Sequence, residues 1–246
     1  MPRMPAMNAS SDPRVTDLVR AGRLRAALFL PQYRKDAATG ELHGVWVDMV
    51  RALGAHIGLA VEIVELSTPA EMLGCLASGG CDVGSLGFDP ERASQVGGFT
   101  APFMQVDYTY LVPAGSAIRS IADADRAAIR IAAVRRHAST LALARMLRHA
   151  APVSADSPDE AFELLRSGRV DAWASIRPAL GDACRRLPGA LVLAESYGAN
   201  RPALVVPNGH TARLAAISEF VVAAKASGLL RQIIDRAGQP GYAPAD

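Results

Sequence analysis

Residues 78–83 read Ser-Gly-Gly-Cys-Asp-Val, and residues 167–172 read Ser-Gly-Arg-Val-Asp-Ala. Each stretch follows a helical pattern and leads into a short apolar run, so each predicts a helix that stops at glycine and is followed by a strand. Turns between helices and strands also look alike by chance. If the likeness marks a shared unit, the chain holds two similar α/β lobes, and such lobes commonly enclose a small-molecule site.

The residues around the first of these turns alternate between strand and helix patterns. Gly58 is a natural helix stop, and Pro69 suits the first turn of the next helix. The predicted strands are 24–30, 61–66 and 82–86, and the predicted helices are 47–56 and 68–78. A β-α-β-α-β order implies parallel strands that are joined by crossover helices.

The alternation restarts around Pro113. Ser157, Pro158 and Glu160 form a capping-box pattern at the start of a helix. The predicted strands in this half are 106–112, 129–134, 170–174, 191–193 and 203–206, and the predicted helices are 139–149, 157–167 and 176–186. An apolar stripe from Thr211 to Ala237 predicts one long helix or two.

Composition favours a globular protein that handles small molecules. The 246 residues are 50% hydrophobic and carry a formal net charge of +2, so nothing in the overall charge indicates nucleic acid or a membrane surface as partner. No stretch reaches the ~20 apolar residues of a membrane span. The first 22 residues lack the apolar core of a secretory signal, and residues 1–21 are predicted to form a loose tail.

The three cysteines are Cys75, Cys81 and Cys184, and an odd number cannot pair fully within one chain. Cys75 and Cys81 are close enough in sequence to pair, but free thiols are the default expectation. Because no metal-ligand spacing, phosphate loop, dinucleotide fingerprint or nucleophile motif is present, we expect no metal and no cofactor.

Residues 119–149 are locally basic, with seven arginines against Asp123 and Asp125. This skew suits either an anionic ligand or an ordinary solvated helix face. The sequence pattern alone leaves both interpretations open.

A series of short motifs between residues 22 and 238 resembles the motifs of a known protein family. In chain order they are Gly-Arg-Leu-Arg at 22–25, Gly-Glu-Leu-His-Gly at 40–44 with Asp48, the stretch 78–83, Pro-Glu-Arg at 90–92, Phe-Thr-Ala-Pro-Phe at 99–103, the stretch 167–172, and Ala-Ser-Gly-Leu-Leu at 226–230. In this order they resemble the bacterial extracellular solute-binding proteins of family 3, the polar amino acid type that serves ABC transporters.

The resemblance implies a two-lobe, type II periplasmic-binding α/β fold with a ligand cleft and two hinge strands near 107–113 and 198–204. Lobe 1 would comprise 22–110 and 201–246, and lobe 2 would comprise 111–200. It further implies a monomer that works with an ABC permease in the periplasm. The lack of a recognisable signal in the chain as given leaves a cytoplasmic location open.

The resemblance also implies ligand-binding residues in lobe 1. Arg92 would hold a carboxylate, because a guanidinium suits bidentate carboxylate binding. Ser85 and Gly87 would line the site, and the loop after the first strand would supply a wall through Leu30 or Tyr33. Arg92 as a surface residue and Tyr33 as a packing residue are the alternatives.

In lobe 2 the resemblance implies an anion site at the start of a helix. Arg136, His137 and Ser139 occupy that turn, although His137 also fits a solvated loop. Amino-acid binders of the family place an acid after the 170–174 strand to pair with the ligand's ammonium. Ile176 and Arg177 stand there instead, and a buried ammonium without a partner is costly.

These features predict a binding protein, not an enzyme, for a small anionic organic solute that is a carboxylate or amino-acid-like. One alternative is an enzyme that resembles cyclohexadienyl dehydratases, since residues 227–232 look similar to that group. That chemistry needs a general acid, which the group supplies as a Glu where this chain has Arg177 and Pro178. A stand-alone cytoplasmic ligand sensor is the other alternative.

Overall fold

The computed structural model describes residues 12–29, 32–88, 93–135, 137–238 and 241–245. Contacts divide the chain into two units. Unit 1 takes in the chain up to Met104, Arg201–Gly238 and the residues from Ala243, and unit 2 takes in Gln105–Asn200 and Gln239–Tyr242. The sequence analysis placed the first boundary at residue 110, whereas the structure assigns nearly the whole strand that begins at Met104 to unit 2.

Short strands and helices alternate along the described residues. The strands are β1 (Arg23–Phe29), β2 (Arg34–Lys35), β3 (Leu42–His43), β4 (Ala60–Leu66), β5 (Val83–Gly87), β6 (Met104–Val112), β7 (Arg130–Val134), β8 (Ala151–Ala155), β9 (Ala172–Ile176), β10 (Leu191–Val192), β11 (Gly198–Asn200), β12 (Pro202–Val205) and β13 (Tyr242–Pro244). The helices are α1 (Thr16–Ala21), α2 (Val45–Ile57), α3 (Pro69–Ala77), α4 (Ile121–Ala124), α5 (Ala138–Met146), α6 (Pro158–Arg166), α7 (Arg177–Arg186), α8 (Thr211–Ala226) and α9 (Leu229–Ala237).

Unit 1 contains a four-stranded sheet in the order β12-β5-β1-β4. The strand β1 runs parallel to both β4 and β5, and β12 is antiparallel to β5. Buried apolar side chains from α3 and the sheet, among them Met72, Leu76 and Leu86, form a core on one face. The predicted parallel β-α-β-α-β order of the first half is confirmed.

Unit 2 contains a seven-stranded sheet in which β10-β6-β9-β7-β8 form the main path, with β11 and β13 also paired to β6. The strand β7 is parallel to β8 and β9, and β6 is antiparallel to β9. Side chains alternate along each strand, so Leu111 and Trp173 enter one core while Tyr110 and Ala174 enter the other.

The two turns that share a sequence pattern share a structure. Ser78 and Ser167 are the C-cap residues of their helices, and Gly79 and Gly168 follow with φ values of 70° and 71°. This left-handed conformation favours glycine because it has no Cβ. The helices before the turns also begin alike, since the caps Thr68 and Ser157 each accept a backbone N–H from the third helical residue.

The prediction of a loose tail over residues 1–21 is wrong for its described part. Residues Pro13–Val15 form a 3-10 helix and α1 follows, because the Asp12 side chain caps the turn and Pro13 suits its first position. Val15 and Leu18 are fully or almost fully buried, and the Arg14 guanidinium bonds to the Glu219 carboxylate at 2.6 and 2.9 Å. The remainder of the tail lies outside the described residues.

Two other predicted elements are displaced, and one prediction that was left open is decided. The helix over 139–149 ends at Met146, because the Asp125 carboxylate accepts the backbone N–H groups of residues 148–150. The strand predicted at 170–174 lies at Ala172–Ile176, since Asp171 bonds to Arg130 before the strand begins. The C-terminal stripe forms two helices, which Gly228 separates with a φ of 75°.

The described residues contain no helix long and apolar enough to cross a membrane. The same part of the chain holds no group of His, Cys, Asp and Glu side chains that is suited to a metal ion. All three cysteines are free thiols, as the odd number led us to expect.

Candidate ligand-binding residues

The unit 1 candidates lie at the carboxyl ends of β1 and β5. These strands are parallel neighbours, with Ala26 opposite Val83, so their ends meet at one edge of the sheet. Ser85 and Gly87 belong to β5, and Tyr33 follows β1. Ligands of open α/β sheets bind beyond this edge.

Ser85 is fully buried, and its hydroxyl has no hydrogen-bond partner among the described residues. A buried hydroxyl without a partner carries a desolvation penalty of about 1–3 kcal/mol. Gly84 lets α3 approach the strand closely, because a Cβ there would lie 2.7 Å from Met72 Sδ. The backbone of Ser85 is therefore held close to α3, and its hydroxyl is a buried polar group at this strand that lacks a partner among the described residues.

Gln32 is a residue of this edge that the sequence analysis missed. Its side chain is 5% exposed, its Nε2 donates to the Ser85 carbonyl at 2.8 Å, and its Oε1 accepts the Phe29 N–H at 3.2 Å. It thereby ties the chain after β1 to β5. No sequence signal marks it, because its bond to Ser85 joins residues that are far apart in the chain.

Tyr33 packs within unit 1. Its hydroxyl donates to the Leu66 carbonyl at 3.2 Å, and burial raises the pKa of its phenol. These contacts explain its position through packing, and its role as an aromatic wall stays a prediction. Leu30 and Arg92 lie outside the described residues.

The unit 2 candidates lie at the corresponding edge of the second sheet. The strands β7 and β9 are parallel, with Ala133 opposite Ala174, so His137 follows one strand end and Ile176 closes the next. His137 is the N-cap of α5 and contributes no side-chain cap. Burial lowers the pKa of its imidazole, which favours the neutral ring.

The start of α5 is fixed from two sides. The Thr140 hydroxyl donates to the Val134 carbonyl at 2.6 Å, and the Tyr197 hydroxyl donates to the Ser139 carbonyl at 3.3 Å. Tyr197 stacks on Tyr110 with a centroid distance of 5.2 Å. A helix start held in this way presents N–H groups and a partial positive charge, which suit an anion. Arg136 lies outside the described residues.

Arg177 is held within unit 2. Its Nη1 donates to the Leu193 carbonyl at 2.7 Å, and its Nη2 donates to the Ala194 carbonyl at 2.9 Å. Its Nε lies 3.7 Å from Asp107 Oδ2, so the pair brings an acid to the strand end that the sequence analysis did not consider. Direct ligand binding by Arg177 stays a prediction.

Several arginines of the basic stretch at 119–149 pair with acids. The guanidinium groups of three of them contact acidic partners: Arg126 with Asp123, Arg130 with Asp171, and Arg135 with Asp156. These pairs compensate much of the local positive charge. The arginine content of this stretch therefore gives only weak support to an anion site. The support comes from the N–H groups at the start of α5 instead.

A family model for the bacterial extracellular solute-binding proteins of family 3 matches residues 29–239. The chain belongs to this family. The match covers most of the chain, including the described candidates of both units. The resemblance drawn from the short motifs is thus confirmed, and by its description the family is extracellular.

Solved structures show that this family 3 protein has the type II periplasmic-binding fold. An ancestral amino acid-binding protein, described as a precursor of cyclohexadienyl dehydratase, matches with a TM-score of 0.75 and 22% identity, over 90% of this chain and 97% of that one. The solute receptor for L-cysteine of Neisseria gonorrhoeae matches with a TM-score of 0.75 and 23% identity, over 92% and 94%.

A histidine kinase sensor domain with similarity to periplasmic binding proteins matches this family 3 chain as well, with a TM-score of 0.73 and 24% identity, over 91% of this chain and 98% of that one. At these identities the likeness establishes the fold alone. A search of curated proteins returned no significant match.

Proposed function

We propose that this protein binds a small organic carboxylate that lacks an amine, for uptake by an ABC-type permease, and that it does so as a binding protein without catalysis. The observation that carries the proposal is that the described residues at the end of β9 leave no acid free to pair with a ligand ammonium. Ile176, an uncharged residue, closes the strand, and the neighbouring acid Asp107 is already paired with Arg177.

An α-amino acid ligand needs a partner for its ammonium. Burying an unpaired charge carries a penalty of several kcal/mol, so binding proteins supply a carboxylate. Asp107 is partly exposed but lies 3.7 Å from the guanidinium of Arg177, and it accepts a bond from Gln105 Nε2 at 3.2 Å. Its charge is therefore balanced within unit 2 before any ligand arrives.

An acid without an amine suits the groups that remain. The start of α5 offers N–H donors beside His137, and the Ser85 hydroxyl is buried without a partner. Arg92 is assigned to the ligand carboxylate by family resemblance and by the match of guanidinium to carboxylate geometry. These groups are donors, and none demands a cationic ligand.

The family comparison also supports a ligand related to amino acids. One matched structure is a receptor for L-cysteine, and another is an ancestral amino acid-binding protein. An amine-free analogue of an amino acid, such as a dicarboxylate or an aromatic acid, would resemble the ligands of these proteins. It would not need an acidic partner at the position of Ile176. The family description favours an extracellular or periplasmic location for the task.

Two of the matched structures suggest alternative functions. One matched structure is a precursor of cyclohexadienyl dehydratase, which makes an enzyme one alternative. An elimination needs a general acid, however, and Arg177 and Pro178 occupy the place where that group would supply one. The histidine kinase sensor domain supports a sensory role, in which binding would be the same and the partner would differ.

A thermal-shift screen of the purified full chain tests the proposal. The panel pairs each amino acid with its amine-free acid, for example glutamate with glutarate, and adds prephenate with product analysis. We expect stabilisation by an amine-free acid, because a ligand that binds only the folded state raises its stability. Stabilisation confined to amino acids would contradict the proposal, and conversion of prephenate would establish the enzyme instead.

A further inference from the structure

The turn after α3 brings the two ends of a short loop together. The Cys75 carbonyl accepts the Gly80 N–H at 2.9 Å and the Cys81 N–H at 3.3 Å. Gly79 adopts a left-handed conformation with a φ of 70°, which reverses the chain. The backbones of Cys75 and Cys81 are therefore adjacent although five residues separate them.

The side chains of the two cysteines also meet. Both side chains pack in one core cluster with Met72 and Leu76, and the two thiols are close enough for Cys75 to influence the pKa of Cys81. Cys81 is fully buried, whereas Cys75 is partly exposed. Gly80 leaves room for this contact, because a Cβ at that position would lie 3.1 Å from Cys75 Sγ.

The equivalent turn of unit 2 shows that the fold does not require thiols here. The Leu164 carbonyl accepts the Arg169 N–H at 3.0 Å and the Val170 N–H at 3.3 Å, which is the same arrangement. Leu164 and Val170 thus stand where Cys75 and Cys81 stand in unit 1, and both belong to one apolar core. An apolar pair satisfies the packing, so two adjacent thiols add a chemical capacity that unit 2 lacks.

We propose that Cys75 and Cys81 are a site of reversible oxidation, at which an intramolecular disulfide closes across the turn. The oxidant is a low-molecular-weight disulfide such as glutathione disulfide. The Cys75 thiolate attacks one of its sulfurs, and one glutathione thiolate leaves. The Cys81 thiolate then attacks the Cys75 sulfur and expels the second glutathione thiolate. The two protein thiols lose two electrons and two protons, and glutathione disulfide gains the electrons.

The environment sets the order of the steps. Cys75 reacts first because it is the exposed partner. Burial, followed by the interaction with the Cys75 thiol, raises the pKa of the Cys81 thiol, and the nearby Arg25 opposes that shift. The closing step therefore depends on the small thiolate fraction of Cys81. We expect it to be the slower step and to accelerate as the pH rises.

The test uses the full chain with Cys184→Ser, which leaves only the two thiols in question. The reduced protein is incubated with oxidised and reduced glutathione, and free thiols and intact mass are measured. We expect both thiols to disappear, a mass lower by two hydrogens, no retained glutathione, and full recovery with a reductant. The matched variant Cys81→Ala with Cys184→Ser should instead retain one glutathione on Cys75.

Two results would overturn the proposal. One is persistence of both thiols in Cys184→Ser under conditions that oxidise a surface dithiol. The other is a stable glutathione adduct that never closes, even at alkaline pH. Differential alkylation and peptide mapping of the unmodified chain provide the same readout should Cys184→Ser fail to fold. There the 75–81 link is expected to form and any link to Cys184 would count against it.

Discussion

The Asp82 carboxylate receives three hydrogen bonds from Arg25: from the backbone N–H at 2.9 Å, from Nε at 3.1 Å and from Nη2 at 2.9 Å. Asp171 receives the same three bonds from Arg130, at 2.8, 3.0 and 2.9 Å. The first pair joins β1 to the turn after α3, and the second joins β7 to the turn after α6. The two units thus repeat an ion pair as well as a topology.

The two repeated pairs should contribute unequally to stability. The Asp82 side chain is 7% exposed and also lies 3.6 Å from the buried Arg213, whereas the Asp171 side chain is 33% exposed. Asp82→Asn leaves the Arg25 guanidinium without its acid partner and removes one of the two acids beside Arg213, which keeps Asp17. We expect a loss of about 3 kcal/mol in the free energy of unfolding. Asp171→Asn should lose about 1 kcal/mol or less. Urea unfolding of both variants measures the difference, and equal losses would contradict this account of burial.

Two helix glycines should respond in opposite directions to alanine. A Cβ at Gly54 of α2 would collide with Val61 and lie 2.9 Å from the Leu59 carbonyl, whereas a Cβ at Gly74 of α3 meets nothing within 4 Å. Gly74→Ala should therefore raise stability by ~0.5–1 kcal/mol through helix propensity, while Gly54→Ala should lower it. Thermal unfolding of the two variants checks the prediction. Stabilisation by both changes would mean that α2 packs less tightly on β4.

Much of the fold could be predicted because local signals agree with it. Thr68 and Ser157 with their following prolines mark helix starts, and Gly58 marks a helix end, as observed. The strand Ala151–Ala155 was missed because it lies at the edge of its sheet. Edge strands tolerate polar residues and proline, and Pro152 and Ser154 interrupt the apolar pattern from which a strand is predicted.

The candidate sites were less predictable, since they depend on contacts between distant residues. Gln32 reaches Ser85, and Arg177 reaches the carbonyls near Leu193, but neither bond leaves a periodic signal in the sequence. The sequence indicated Arg177 as a candidate ligand-binding residue, whereas the structure shows its guanidinium bonded to backbone carbonyls. The local patterns indicated the strands that carry the candidates, although their ends are shifted by one or two residues at Gly87 and Ile176.

The pH dependence of stability should reflect two partly buried histidines, His56 and His137. Burial lowers the pKa values of His137 and His56 below their ordinary 6.5, so the folded state favours neutral rings. As the pH falls below about 6.5, the unfolded chain binds protons first, and stability is lost until the folded-state pKa is reached. His137→Gln and His56→Gln should each reduce this loss in urea unfolding between about pH 5 and 8.

The pH dependence of ligand affinity should distinguish the role of His137 from that of His56. If His137 contacts a bound anion, binding raises its pKa, so affinity should increase as the pH falls through the pKa of the free protein. His137→Gln should abolish this increase, while His56→Gln should leave it unchanged. Calorimetric titrations across the same pH range supply the measurement, and identical profiles for both variants would remove His137 from the site.

Arg92→Ala should weaken binding of the ligand by roughly 1.5–3 kcal/mol, the scale of a hydrogen bond to a charged group. That corresponds to roughly a 10- to 150-fold rise in Kd. Arg92→Lys retains the positive charge but not the planar guanidinium that binds a carboxylate with two hydrogen bonds, so it should lose less binding free energy. An unchanged Kd for Arg92→Ala, measured by calorimetry on a folded variant, would refute the assigned role.

The most direct test of the central claim is the ratio of affinities for one acid with and without its α-amine, measured by titration calorimetry on the full chain. Because Ile176 offers no charge and Asp107 is paired with Arg177, we predict tighter binding of the amine-free acid by at least about tenfold. Ile176→Asp, which restores an acid at the strand end, should narrow or reverse the ratio. Tighter binding of the amino acid by the unaltered protein would contradict the account and identify an ordinary amino acid receptor.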